Sequence, residues 1–139
     1  MVAVELRRLI AERSRAVLVI EASGLPDEFF DQLAVAEEIN WTQVIVFLAR
    51  ERIGLGPDAP DSLRLRLLEC LIARVPIVEF YAPRADAPNP AAAFRNFAAL
   101  FERKKPDFAV AKRGLDLDGF GLESDKLNEL PTLFLDAVK

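Results

Sequence analysis

Histidine is absent from this chain of 139 residues. Without an imidazole the protein has no Ser-His-Asp or Cys-His catalysis, almost no route to a zinc site, and no histidine switch near neutral pH. Cysteine occurs once, which excludes an internal disulfide and is typical of a reducing compartment. Basic side chains number 18 against 22 acidic ones, a formal net charge of −4, so nucleic acid is not an expected partner.

Long hydrophobic runs are also missing. The densest apolar runs cover residues 16–20 and 44–49, whereas a membrane span needs about 18 consecutive apolar residues. Neither run is long enough for the core of a signal peptide. We therefore predict a cytoplasmic protein with no membrane partner. The composition, 52% hydrophobic and 29% charged, is typical of a globular protein, and the length predicts a single domain over residues 1–139.

Apolar residues at helical spacing predict an all-α fold, a single-domain bundle of five to six helices. Residues 1–76 are expected to form the core of the bundle, and residues 77–139 a C-terminal extension with one or two further helices. Asn40 and Asn89 are good N-cap residues, and they support two of the helix starts. The predicted helices cover residues 3–22, 26–39, 40–53, 58–75, 89–105 and 124–138.

An α/β fold with a small sheet is the alternative. Residues 16–22, 44–49 and 77–81 are rich in β-branched or aromatic side chains, and helical segments lie between them. Short apolar runs do not distinguish a buried strand from a buried helix by periodicity alone. The lengths of the segments and the two asparagine caps favour helices.

Candidate chemical motifs are weak. Residues 116–127 begin like a calcium-binding EF-hand loop, but Phe120 and Leu127 stand where the fifth and twelfth positions need oxygen ligands. The glycines of residues 54–56 lack the Gly-Lys-Ser/Thr of a phosphate-binding loop. Cys70 has apolar neighbours and is expected to be a buried, inert thiol. We therefore expect no catalytic, cofactor-binding or metal-ligating residues, and no cofactor.

Charge is unevenly distributed between the first two predicted helices. The first carries four arginines and two glutamates up to residue 20, whereas residues 23–49 carry five acidic side chains and no basic one. Opposite patches of this kind can steer the association of two like domains. The simpler interpretation, that the two helices neutralise each other on a mixed surface, stays open. The candidate partner-binding residues are Arg7, Arg8, Arg13, Asp27, Glu28, Asp31 and Trp41.

The order of these features resembles a known family. A Gly24-Leu25-Pro26 turn precedes Phe29-Phe30, Asn40-Trp41 opens a predicted helix, and a leucine-rich helix ends at residues 75–76. Residues 4–76 thereby resemble the effector-associated domains, small death-like helical domains of bacterial conflict and defence systems. The resemblance implies an adaptor that recruits an effector through contact with a like domain, and it brings no catalytic residues.

The first functional hypothesis is therefore a non-enzymatic adaptor that binds a protein partner, including a second copy of itself. The alternative is a small acidic immunity protein, or a secretion or assembly chaperone, that binds an unlike protein. A third hypothesis, an enzyme or ligand-binding domain, requires the α/β fold. Under the first two hypotheses no small-molecule substrate is expected.

Overall fold

The computed structural model describes residues 2–51, 59–112, 120–121 and 130–135. Within these ranges the chain forms four α-helices and seven strands. The helices are α1 (Val2–Arg13), α2 (Asp27–Ala34), α3 (Leu63–Cys70) and α4 (Pro90–Lys104). The strands are β1 (Ala16–Ile20), β2 (Val44–Leu48), β3 (Arg50–Glu51), β4 (Glu79–Tyr81), β5 (Phe108–Lys112), β6 (Phe120–Gly121) and β7 (Thr132–Leu135).

Five of the strands form one parallel sheet in the order β4-β2-β1-β5-β7. The first strand of the chain is therefore the central strand of the sheet. In the register of the sheet, Val19 lies between Phe47 of β2 and Ala109 of β5. The two short strands β3 and β6 pair separately and antiparallel.

The central strands are apolar at every position because the sheet is covered on both faces. All five residues of β1 and all five of β2 are buried, as expected for a parallel sheet packed between helices. Leu18 and Val46 belong to a core cluster that includes residues of α1, α2 and α3. Val19 and Phe47 point to the opposite face, where Phe97 and residue 101 of α4 complete a second cluster. The architecture is thus three layers, helices on both sides of a sheet.

The prediction of an all-α bundle is wrong, and the α/β alternative describes the structure. The predicted helix over residues 3–22 is really α1 followed by β1, with the chain turning at Ser14, where φ is 58°. Strands buried on both faces show no two-residue alternation, so their sequence does not separate them from a buried helix. The three segments that the alternative required contain β1, β2 and β4.

The asparagine caps behave differently from each other. Asn89 accepts a hydrogen bond from the backbone N–H of Ala92 at 3.1 Å and caps α4, close to the predicted helix. Asn40 caps only a single 3₁₀ turn over Trp41–Gln43, after which the chain enters β2.

The C-terminal part of the chain also departs from the predicted helices. Within the predicted helix over residues 124–138, residues 132–135 form β7, and residues 124–129 and 136–138 lie outside the described residues. The glycines at 54 and 56 lie outside the described residues as well, as does all of the EF-hand-like string except residues 120–121. Strands from both sides of residue 76 share the one sheet. Among the described helices none has the length and apolarity to cross a membrane.

Candidate active site

The topology of the sheet singles out one edge as a ligand site. From β1 the chain builds outward through β2 to β4, and it then returns to the other side of β1 to add β5 and β7. The strand order therefore reverses beside β1. Open parallel sheets bind ligands at the carboxyl ends of the strands that flank such a reversal. In this chain those ends are occupied by charged residues.

Glu21 follows directly after β1 and is 3% exposed. Its backbone N–H donates to the carbonyl of Val110 at 3.0 Å, which extends the pairing of β1 with β5. Its Oε2 lies 3.6 Å from Nε of Arg50, which is 6% exposed. A buried carboxyl group and a buried guanidinium thus meet at the carboxyl edge of the sheet.

Burial raises the pKa of Glu21 to about 7, from its usual value of 4.5. The positive charge of Arg50 and a hydrogen bond from the backbone of Ser23 act in the opposite direction, but they do not offset the loss of hydration. A carboxyl group with this pKa exchanges its proton near neutral pH. That property suits a general acid or base and is concentrated at functional sites.

A short antiparallel pair of strands lies just beyond the carboxyl end of β2. β3 follows β2 after one residue, β6 lies beyond β5 in the chain, and the two pair through Arg50 with Gly121 and Glu51 with Phe120. Arg50 of this pair contacts Glu21, the residue that follows β1. We call these residues, 50–51 and 120–121, the β3–β6 strap. Arg50 of the strap contributes to the burial of Glu21, because its guanidinium lies 3.6 Å from the Glu21 carboxylate.

Glu51 anchors the strap to α3. Its carboxylate accepts hydrogen bonds from the Ser62 hydroxyl at 2.6 Å, from the Leu63 N–H at 2.7 Å and from the Arg64 N–H at 2.9 Å. A negative charge at a helix N-terminus also interacts favourably with the helix dipole. Glu51 is 2% exposed, and its carboxylate is hydrogen-bonded to the start of α3, so its role is to hold the strap in place.

The effect of Glu21 on stability is predicted to depend on pH. The folded protein keeps the Glu21 proton up to about pH 7, whereas the unfolded chain releases it near pH 4.5, so the folded state binds more protons between these values. The Glu21 contribution is therefore complete below pH 4.5 and is lost as the pH rises to about 7, a change of about 3 kcal/mol. Urea denaturation of the wild type and of Glu21→Gln over this range measures it.

The difference in unfolding free energy between the two proteins isolates Glu21 from the other carboxyl groups. As the pH rises, the wild type should become less stable relative to Glu21→Gln, and above about pH 7 the difference should stay constant. A difference independent of pH would show that the pKa of Glu21 is not raised.

The predicted basic residues lie on α1, each with a partner in the chain. Arg7 donates to the carbonyl of Glu37 at 2.9 and 2.7 Å, and Arg8 forms exposed ion pairs with Glu5 and Glu12. Nη2 of Arg13 lies 2.9 Å from Oδ1 of Asp107.

The predicted acidic residues lie on α2. Asp27 pairs with Arg66 at 2.9 Å, Asp31 pairs with Arg74 at 2.6 Å, and Glu28 accepts from the Gln32 side chain. Trp41 is 5% exposed and belongs to the core. No observation tests these residues as a partner surface, so that role stays a prediction.

Glu21 and Arg50 were not among the residues that the sequence patterns single out. Each directly follows a buried apolar run, at residues 16–20 and 44–49 respectively. A charged residue directly after a buried parallel strand lies at the carboxyl edge of the sheet, so the signal was present. It becomes visible only once the runs are assigned as strands. In the described part of the chain no three side chains are grouped to hold a metal ion.

No family model matches the chain, and no curated protein matches it by sequence. Solved structures do match it. A 6-phosphogluconolactonase from Shewanella baltica is 24% identical with a TM-score of 0.70, and one from Thermotoga maritima is 19% identical with a TM-score of 0.72. A monomeric glucosamine-6-phosphate deaminase of the NagB superfamily is 21% identical with a TM-score of 0.68. The matches cover 78–81% of this chain and 47–52% of the neighbours, so the chain spans about half of their length.

These likenesses show the fold, and they overturn several predictions. The resemblance to effector-associated domains is wrong, because the fold is shared with α/β enzymes of sugar phosphates. The predictions of a non-enzymatic adaptor, and of an immunity protein or chaperone, are wrong for the same reason. The expectation that there is no small-molecule substrate is contradicted too, since the neighbours act on small molecules.

Proposed function

We propose that this chain belongs to an enzyme that hydrolyses the lactone of a phosphorylated six-carbon sugar, and that it works in the cytoplasm. The observation that carries the proposal is Glu21, a buried carboxyl group with a pKa of about 7 at the carboxyl end of the central strand. The fold supports the substrate class, because two of the three neighbours described above are 6-phosphogluconolactonases. The single cysteine and the lack of a membrane-crossing helix in the described residues support the location.

Lactone hydrolysis requires a group that both takes and returns a proton. Ionised Glu21 accepts a proton from water while the water oxygen attacks the lactone carbonyl carbon. The bond between that carbon and the ring oxygen then breaks, and Glu21 returns the proton to the departing oxygen. Lactone and water thus become a hydroxy acid, and the carboxylate is regenerated. A pKa near the working pH serves both halves of this cycle.

The guanidinium of Arg50 supplies positive charge beside Glu21. In a site closed to water, a fixed cation stabilises the negative charge that develops on the lactone oxygen. It also keeps part of the Glu21 population ionised, since its charge lowers the pKa that burial raises. We therefore assign Arg50 to charge stabilisation and Glu21 to proton transfer.

We assign the phosphate of the substrate to a position near the carboxyl end of β5. The helix that follows β1 begins with Asp27 and Glu28, and their carboxylates oppose a bound phosphate at that helix end. Lys112 is the last residue of β5, which flanks the central strand on the side away from β2, and it is partly buried. Since Val110 is level with Ile20 in the sheet, Lys112 lies level with residue 22, one residue beyond Glu21.

Substrate reaches Glu21 when the β3–β6 strap moves aside. Opening breaks the described pairing of β3 with β6, whereas Glu51 holds β3 to the start of α3. Closure over the bound lactone then excludes bulk water from the reaction.

The direct test is an assay of lactone opening. Purified protein is mixed with 6-phosphogluconolactone, and acid release is followed against the spontaneous rate, with the lactone lacking phosphate as the matched control. We expect catalysed opening that is faster for the phosphorylated lactone and that changes with pH around 7. Absence of catalysis, or binding of the lactone without turnover, would overturn the hydrolytic proposal.

A further inference from the structure

A concave surface lies at the amino-terminal edge of the sheet, at the opposite end of β1 from the candidate active site. It is a cavity of about 260 Å³ lined by Arg13, Arg15, Lys105 and Asp107. Arg15 directly precedes β1, and Asp107 directly precedes β5. β1 is five residues long, so this cavity lies about 17 Å from Glu21.

Asp107 builds the floor of the cavity. Its Oδ2 accepts a hydrogen bond from the Val17 N–H at 2.8 Å, while its own N–H donates to the Val17 carbonyl at 2.9 Å. Its Oδ1 lies 2.9 Å from Nη2 of Arg13. The side chain of Asp107 is 8% exposed. Both carboxylate oxygens are thus engaged, one with the Val17 N–H and the other with Arg13 at the rim.

Two further cations complete the lining. Arg15 donates from Nη2 to the carbonyl of Lys104, at the end of α4. Lys105 follows in a left-handed conformation, with φ of 53°, where it ends the helix. Among the described residues the Lys105 ammonium has neither a hydrogen bond nor an ion pair. Three positive charges therefore face one carboxylate, and that carboxylate is already bonded to the backbone and to Arg13.

We propose that this cavity binds a phosphate group, as the free ion or as a phosphomonoester. Its volume is below the roughly 300–1,000 Å³ of pockets for drug-sized ligands, which favours a small ion or headgroup. Guanidinium groups match the oxygens of phosphate in pairs, and a lysine adds a compact charge. Among the described residues each arginine makes one contact, through Nη2, so its other N–H groups can donate to a ligand. This site is separate from the one that takes the sugar phosphate.

The test is a titration of the whole chain with inorganic phosphate, followed by two-dimensional NMR of the backbone amides. We expect a dissociation constant of about 1 mM or lower, with shifts at Arg15, Lys105 and Asp107. Lys105→Gln should weaken binding by about tenfold, and Lys105→Glu should abolish it. Arg103→Gln is the matched control, because it removes an exposed cation from the same helix end. Its affinity for phosphate should equal that of the wild type.

A parallel titration with methyl phosphate distinguishes the two sources of the phosphate group. Binding of both probes supports a site for phosphomonoesters, and binding of inorganic phosphate alone supports a site for the free ion. The proposal is overturned if neither probe binds, if Lys105→Glu binds phosphate as tightly as the wild type, or if the shifts occur around Glu21 instead. Far-UV circular dichroism establishes that each variant is folded.

Discussion

Replacing Glu21 by glutamine should lower kcat for lactone opening by about 10²–10⁴-fold, the usual contribution of a positioned general base. Glutamine has nearly the same shape as a protonated glutamate, but it takes no proton from water. KM should change little, because Glu21 acts on the attacking water and Lys112 is assigned to the phosphate. Steady-state kinetics with 6-phosphogluconolactone, measured from about pH 5 to pH 9, separates the two parameters.

The pH profile provides a second measure of the same role. In the wild type, kcat should change around the Glu21 pKa of about 7. The Glu21→Gln variant should lack this change in its pH profile. Glu37→Gln is the matched control, because Glu37 is exposed and lies away from the carboxyl edge of the sheet. Its kinetics should equal those of the wild type. A Glu21→Gln variant with full kcat would remove Glu21 from the mechanism.

Replacing Glu51 by alanine should destabilise the fold by about 3 kcal/mol or more. The change leaves the Ser62 hydroxyl and the N–H groups of Leu63 and Arg64 without the acceptor that they have in the native protein. Each buried donor left unsatisfied costs about 1–3 kcal/mol. For a chain of this length, such a loss lowers Tm by roughly 10 °C. Thermal and urea denaturation measure both quantities.

Two variants test whether the loss comes from the hydrogen bonds at the start of α3. Glu51→Gln keeps one acceptor oxygen and should recover about half of the stability. Glu69→Ala removes an exposed carboxylate from the same helix, and it should change the unfolding free energy by no more than about 0.5 kcal/mol. If Glu51→Ala unfolds like Glu69→Ala, the carboxylate does not hold the strap.

Hydrophobic periodicity alone does not predict this fold from the sequence. The run over residues 16–20 continues the apolar pattern of α1, so helix and strand merge into one predicted helix of residues 3–22. The decisive information is nonlocal, because β1 is a strand only by pairing with β2 and β5. By contrast, α4 depends on a local cap at Asn89, and its position was predicted correctly.

The candidate active site was harder to predict from the sequence than the fold was. In the sequence Glu21 is one acidic residue among many, and its pKa is raised because the folded protein buries it. The lack of histidine excludes from this sequence the catalytic sets that need an imidazole. It did not exclude catalysis by a carboxyl group whose burial supplies the property that histidine has in water.

The hydrogen bond between Asp107 and the Val17 backbone joins residues 90 positions apart in the chain. During synthesis β1 leaves the ribosome before the other strands of the sheet, yet its β5-facing edge stays unpaired until residue 110 has emerged. The face of β1 that carries Val17 and Val19 also stays uncovered until Phe97 and Phe101 of α4 arrive. An apolar strand with a free edge is a template for pairing with other chains. The central strand is thus made before the rest of the sheet, and both its edges and both its faces are covered only after α4 and β5 have been made. The solubility of the growing chain therefore depends on how quickly those elements follow.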